Sequence, residues 1–262
     1  MAIKKAVRID ALPESAWRYA GYDAIVCVDV LLASTTIVTA LGQGRRVFAA
    51  PSPAHATWLR SRAQDALVIA ESPADADADV ALAGPAALAA AEGRVRDLVH
   101  VSAFAEMLAA ATPRAAVLVA CLRNLEATAA ELAARHVKVA ILGAGDDGEV
   151  ATEDQMAAAW LASRLRARGF EIEGHDTATE VERWGAPDVA LVGWSRGAER
   201  LRVRGRAADV DFVLGHVDDL DVVAAYASGE VRNTARHRRR GPADEDEMPT
   251  PAWGTPLPFV GR

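Results

Sequence analysis

Runs of consecutive apolar residues alternate along the chain with stretches in which apolar positions recur every three or four residues. This is the pattern of buried strands interleaved with helices. The strongest run, Ala24–Leu31 (AIVCVDVL), is rich in β-branched residues and reads as a strand covered on both faces. Ser34, Thr35 and Thr36 then supply capping residues for a short helix over Ile37–Gly42, which Gly44 stops. Arg46–Ala50 reads as a second strand closed by Pro51 and Pro53, Pro53–Gln64 as a helix, and Ala66–Ala70 as a third strand. The small and acidic residues of Ser72–Ala91 predict a loop and a short alanine-rich helix.

Two more strands, Asp97–Val101 and Ala115–Leu122, flank a helix over Phe104–Ala111. Asn124 stands where it would cap a helix over Leu125–Arg135, and Val137–Leu142 is the next strand. Thr152 and Gln155 have the spacing of a capping box for Glu153–Arg168. Asp188–Trp194 fits a strand or the start of a helix reaching Arg200, and Asp209–Leu214 reads as a last strand. The fold class is therefore α/β, in one domain over residues 1–231. From Arg232 the chain turns to charge blocks and prolines, which predicts a disordered tail over 232–262.

Composition narrows the picture. Of 262 residues 51% are hydrophobic and only 5% aromatic, which suits closely packed helices on a sheet. A net charge of −7 gives no basic field for nucleic acid, and the basic run Arg236–Arg240 is followed at once by Asp244–Glu247. Lys4, Lys5, Arg8 and Asp10, with no apolar run behind them, predict no signal peptide. No apolar stretch approaches the ~20 residues of a membrane span, so a cytoplasmic protein without a membrane partner is expected. Cys27 and Cys121 lie inside apolar runs and read as buried free thiols.

The chemistry concentrates at the first strand–helix junction. Asp29 ends the strongest strand shortly before the Ser34-Thr35-Thr36 cluster that opens a helix. In open α/β sheets ligands gather beyond the carboxyl ends of strands, and a helix start offers free amides to an anion. A nearby carboxylate can hold Mg²⁺ against phosphate oxygens. The same residues would also serve simply to cap the helix and pair locally.

The longer string Val28–Leu41 (VDVLLASTTIVTAL) is similar to the opening motif of the 2-phosphosulfolactate phosphatase family. Val117–Leu132 (VLVACLRNLEATAAEL), Ala151–Leu165 (ATEDQMAAAWLASRL) and Ser195–Val223 resemble later stretches of that family in the same order. The resemblance implies a three-layer α/β/α fold with a largely parallel or mixed sheet, Mg²⁺ as cofactor and a homodimer. It also implies hydrolysis of a small anionic phosphoester, a sulfonated three-carbon acid of coenzyme M biosynthesis. Carried over residue by residue, it makes Asp29, Ser34, Thr35 and Asn124 catalytic. Ser34, Thr35, Thr36 and Ser102 would bind substrate, and Asp29, Glu153 and Asp154 would bind the metal.

The chain also departs from that pattern. Leu32 replaces an arginine, Val101–Ala105 (VSAFA) replaces a polar, glycine-containing turn, and Ser72–Arg94 lacks the family's glycine-rich segment. Cys121 and Arg123 replace a serine and a leucine beside Asn124. Guanidinium holds phosphate or sulfonate through paired charge-assisted bonds that leucine cannot make. Arg123 or Arg94 could supply a relocated charge. The alternatives are a non-catalytic descendant kept for binding or structure, and a hydrolase whose pocket Leu32 and Phe104 have remodelled for another substrate.

Two further motifs point elsewhere. Gly-Ala-Gly at 143–145 lacks the third glycine of a dinucleotide fingerprint, and Asp146, Asp147 and Glu149 would repel a pyrophosphate. Six histidines show no metal spacing; His216 with Asp218 is the one arrangement to watch.

Overall fold

A computed structural model describes residues 4–235, except 62, 64, 77–78, 92–94, 112–114 and 147. The expected tail beyond 235, Arg94 and Asp147 lie outside the described residues. The first half of the chain runs β1 (Ala6–Asp10), a 3-10 turn (Pro13–Tyr19), β2 (Ala24–Val28), α1 (Ala33–Gly42), β3 (Val47–Ala50) and α2 (Pro53–Arg60). It continues through β4 (Leu67–Ala70), β5 (Ala81–Leu82), α3 (Pro85–Ala90), β6 (Leu98–Val101) and α4 (Phe104–Ala111). The second half begins with β7 (Ala116–Ala120), a 3-10 turn (Leu122–Asn124), α5 (Leu125–Arg135), β8 (Lys138–Gly143), α6 (Thr152–Ala167) and β9 (Glu171–Ile172). It ends with α7 (His175–Trp184), α8 (Val189–Val192), α9 (Arg196–Val203), α10 (Ala207–Gly215), β10 (Ala224–Ala227) and β11 (Glu230–Asn233).

The strands form one mixed sheet in the order β5-β4-β6-β3-β11-β10-β7-β2-β8-β1-β9. β7, β2, β8, β1 and β9 are parallel, as are β3, β6, β4 and β5. The antiparallel β10–β11 hairpin joins the two blocks, which run in opposite senses. β2 lies between β7 and β8, and its register pairs Val28 with Ala120 and Gly143. The ends of three parallel strands therefore adjoin where the chain reaches Asp29.

Alternation along β2 explains the three layers. Ala24, Val26 and Val28 face a core shared with α5, α6, α7 and α10, whereas Ile25 and Cys27 face a second core built by α1 and α4. Both faces are covered, so the strand reads as a continuous apolar run. α6 is buried over most of its length, and Ala157, Ala158, Ala159 and Ala162 let it approach the sheet closely. Trp160 fills the remaining space and donates its indole N–H to the Trp184 carbonyl at 2.7 Å. Trp194, by contrast, is 81% exposed. Among the described residues no helix is long and apolar enough to cross a membrane.

Several local expectations need correction. Asp209–Leu214 belongs to α10, not to a strand; Val210 and Val213, one turn apart, are both buried in the core. α1 begins at Ala33, so Ser34, Thr35 and Thr36 lie inside its first turn, and its N-cap is Leu32. The capping box at Thr152 does not form, because Ala151 is the N-cap and no side chain caps α6. Asp188–Trp194 is not a strand, nor does it run on as one helix to Arg200: Asp188 caps the short α8, and Ser195 opens α9 separately. β1, β5, β9, β10 and β11 have no counterpart among the expected strands, and Arg232 belongs to β11.

Candidate active site

The loop from Asp29 to Ala33 is held by its own polar groups. The Ser34 hydroxyl donates to the Asp29 carbonyl at 2.5 Å and accepts from the Asp29 amide at 3.1 Å. The Ala33 amide donates to Asp29 Oδ1 at 3.3 Å, and the Thr35 hydroxyl donates to the Val30 carbonyl at 2.8 Å. A second element fixes the loop from outside: Asp154, in the first turn of α6, accepts from the Val30 amide at 2.8 Å. Such short polar side chains compete well for backbone groups outside regular structure. Here they set the direction of the Asp29 carboxyl.

Beside this loop is a cavity of about 160 Å³ lined by Asp29, Asp154, Glu153, Arg200, Arg204 and Gly145 among others. Gly145 has φ +67°, and a Cβ there would lie 2.7 Å from the Glu149 carbonyl oxygen, so the β8–α6 turn requires glycine. α9 is tied to that turn by two ion pairs, Arg200 with Asp146 and Arg196 with Glu149. Asp146 and Glu149 thus serve the turn, and Asp146 also lines the cavity.

Gly197 opens room on the α9 side, since a Cβ there would fall 2.0 Å from Glu153 Oε1. Gly197→Ala is expected to displace Glu153 and lower kcat/KM by roughly ten- to hundredfold. Stability should change little, because the alanine's helix propensity offsets the crowding. Steady-state kinetics beside thermal melting checks this; an equal loss of stability and activity would show that Gly197 serves packing alone.

Charge in the site is concentrated and negative. Burial pushes the Asp29 carboxyl well above the usual carboxylate range, and the neighbouring Asp154, Glu71 and Glu153 push it further. Asp154 is raised by burial and by Glu153, against the opposing pull of the Val30, Gly145 and Ala144 amides. Glu153 is raised by burial, partly offset by its own amide and the Ser195 hydroxyl.

Glu71, at the end of β4, belongs to this group although its part of the sheet is several strands away. Its Oε1 accepts from the Thr36 hydroxyl at 3.1 Å and lies 3.0 Å from Nε2 of the fully buried His100.

Asp29, Glu153 and Asp154 are therefore brought together at the cavity. Ser34, Thr35 and Thr36 lie at the same junction, but their buried hydroxyls are committed to the protein; that of Thr36 bonds the Leu32 carbonyl as well as Glu71. Asn124 lies at the end of β7, wholly buried. Its Oδ1 accepts from the Cys121 amide at 2.9 Å, and its Nδ2 donates to the Val119 and Val222 carbonyls, each at 3.1 Å. It brackets the 3-10 turn, and although Asn124 is the N-cap residue of α5, its side chain makes no capping bond to that helix. Ser102 follows β6, its amide bonded to the Ala50 carbonyl, and is not among the residues lining the cavity.

Arg123 is not a relocated anion binder. Its guanidinium grips Asp219 through two bonds, at 2.9 and 2.6 Å, and donates to Thr39. Leu32, only 3% exposed, and Phe104 are core residues that do not line the cavity. His216 bonds the Phe212 carbonyl, while Asp218 pairs with Arg164 and accepts from the Glu126 amide. Both cysteines are buried and free, and burial pushes the Cys121 thiol up to about 12.

Sequence reading missed Glu71, His100, Arg200 and Arg204. Glu71 obeys the strand-end rule that singled out Asp29, whereas the arginines sit in a segment with five arginines between 196 and 206 and carry no local signal.

A three-layer α/β protein with carboxylates and guanidinium groups around a cavity at a strand end has the features of a small-anion enzyme. Comparison with known proteins makes the class specific. A model of the family described as 2-phosphosulpholactate phosphatase matches residues 10–229. A Deinococcus radiodurans protein named "Probable 2-phosphosulfolactate phosphatase" is 33% identical over 218 residues, which cover 79% of this chain and 87% of that protein. The chain belongs to the 2-phosphosulfolactate phosphatase family.

Proposed function

We propose that this chain is a Mg²⁺-dependent phosphoric monoester hydrolase acting on a small phosphorylated acid of the 2-phosphosulfolactate type. The observation that carries the reading is the cavity beside the end of β2, where Asp29, Glu153 and Asp154 converge. Family membership and the name of the Deinococcus relative support it. The homodimer implied by the resemblance and the cytoplasmic location expected from the sequence belong to the same reading.

The donor set suits the cation. Asp29, Glu153 and Asp154 offer only hard oxygen ligands, and their mutual repulsion favours a positive partner. Among the described residues no three His, Cys, Asp or Glu side chains form a cage able to hold a metal unaided. Mg²⁺ rarely uses such a cage; it commonly keeps several waters and is held by one or two carboxylates together with substrate phosphate. Asp29, Asp154 and Glu153 would hold it directly or through water, and when bound it supplies neutralisation of charge on the phosphoryl oxygens.

The chain's own residues do the rest. Asp29 holds the attacking water and receives its proton; as the new P–O bond forms the ester P–O bond breaks, and the departing alkoxide takes a proton from solvent. Ser34, Thr35 and Asp154 fix the loop that aims Asp29, while Thr36 and His100 hold Glu71 beside it. Leu32 sits in the core, so the missing family arginine leaves the cavity's own charges in place.

Phosphate release from a panel of phosphorylated two- and three-carbon acids tests the reading. Turnover should appear with Mg²⁺, vanish with chelator and return when Mg²⁺ is restored. Absence of release from every ester in the presence of Mg²⁺ would overturn it.

A further inference from the structure

The cavity is bipolar. Asp29, Glu153 and Asp154 occupy part of its lining, and Arg200 and Arg204 on α9 contribute the positive part. The two arginines are four residues apart, which puts them on one face of the helix about 5–6 Å from each other at Cβ. They are not equivalent. Arg200 is held by Asp146 on the β8–α6 turn, whereas Arg204, at the C-cap of α9, makes no ion pair with any described residue. An arginine braced by a carboxylate beside a second that is not so engaged leaves one guanidinium with its donors open to one more anionic group.

We infer that Arg204, positioned beside the braced Arg200, is a specificity-determining residue that binds a second acidic group of the substrate, a carboxylate or sulfonate a few atoms from the phosphate. This rests on the phosphatase reading above and goes beyond it, because it says how the site distinguishes a phosphorylated acid from a simple phosphate ester. The electrostatics divide the labour. Three carboxylates repel any bare anion, so the phosphoryl group can approach them only through a cation. A second anion on the same molecule gains most by turning away toward the guanidinium groups. The planar fork of arginine matches both carboxylate and sulfonate oxygens, which a lysine ammonium meets only as a point charge.

The experiment compares two non-hydrolysable probes by calorimetry in the presence of Mg²⁺: phosphonoacetate, which carries a carboxylate, and methylphosphonate, which does not. The wild-type protein should bind phosphonoacetate roughly ten- to hundredfold more tightly. Arg204→Gln should reduce that preference to about twofold, and Arg204→Lys should restore part of it, since charge survives without the fork. Arg204 is exposed, and melting curves of each variant confirm that the fold is intact. An unchanged preference in Arg204→Gln, an equal weakening of both probes, or a wild-type protein that does not discriminate would each overturn the assignment.

Turnover separates this outcome from the phosphatase reading. Selective phosphonoacetate binding without phosphate release from any ester defeats the enzyme and leaves the acid-binding site. Phosphate release without selectivity does the opposite.

Discussion

Asp29→Asn is expected to abolish phosphate release while raising the melting temperature of the metal-free protein. Asp29 shares its surroundings with Asp154, Glu71 and Glu153, so without a cation its charge is both desolvated and repelled. Asparagine has nearly the same shape, and its Oδ1 can still accept from the Ala33 amide, so the loop keeps its geometry. Relieving one charge should stabilise the metal-free fold by roughly 1–2 kcal/mol, as commonly occurs when functional strain is removed. In a domain of this size that is a rise of about 2–8 °C.

The catalytic cost has the opposite sign and is larger. Losing the carboxylate that takes the attacking water's proton removes about two to four orders of magnitude in rate. Added Mg²⁺ supplies a third reading: it should raise the wild-type midpoint by mass action and move the variant little. A destabilised Asp29→Asn protein, or one that keeps its turnover, would remove Asp29 from the centre of the site.

That trade of stability for charge follows from how the fold assembles the cluster. β2 ends inside the parallel block, so its terminal carboxylate points into space enclosed by the neighbouring β8–α6 turn and by α9. α6 contributes two carboxylates from its first turn, where acidic side chains favour the helix dipole, so their placement supports the helix even as they repel one another. Glu71 arrives from the other parallel block and is fixed by a buried histidine and a threonine. Each carboxylate is thus anchored by contacts that serve the fold, and their shared charge remains available to a cation.

The sequence made some of this readable and concealed the rest for physical reasons. β2 and its Asp29 terminus were legible because a strand covered on both faces must be apolar throughout, which makes one acid at its end conspicuous. α5 and α6 were legible from their spacing. β1 was not, because AVRID alternates buried and half-buried positions and follows a charged segment. α10 was misread because its DVDFVL run mimics strand alternation, although Val210 and Val213 are spaced for a helix. At the site, spacing and resemblance named Asp29, Glu153 and Asp154, which do converge. They could not reveal that Arg200 and Arg204 face the same cavity, because proximity across more than 150 residues of sequence depends on how α9 docks.

Asn124→Leu should cost about 3–5 kcal/mol of stability, seen as a lower denaturant midpoint with an unchanged slope. The native amide is wholly buried and makes three hydrogen bonds, to the Cys121 amide and to the Val119 and Val222 carbonyls. Leucine fills a similar volume but strips partners from three backbone groups, and an unmatched buried polar group costs about 1–3 kcal/mol. Asn124→Asp is a sharper probe. It keeps the acceptor for Cys121 but presents an oxygen to two carbonyls where the amide had donated, so it should be no more stable than the leucine variant.

In both variants activity should fall in step with the folded fraction, because the side chain acts by holding the end of β7 against the segment that leads into β10. Full stability combined with lost turnover would instead return Asn124 to the groups that touch substrate. The two results are separable by measuring the midpoint and the rate on the same preparation. The outcome decides whether the asparagine in the Val117–Leu132 stretch marks chemistry or the scaffold that positions it.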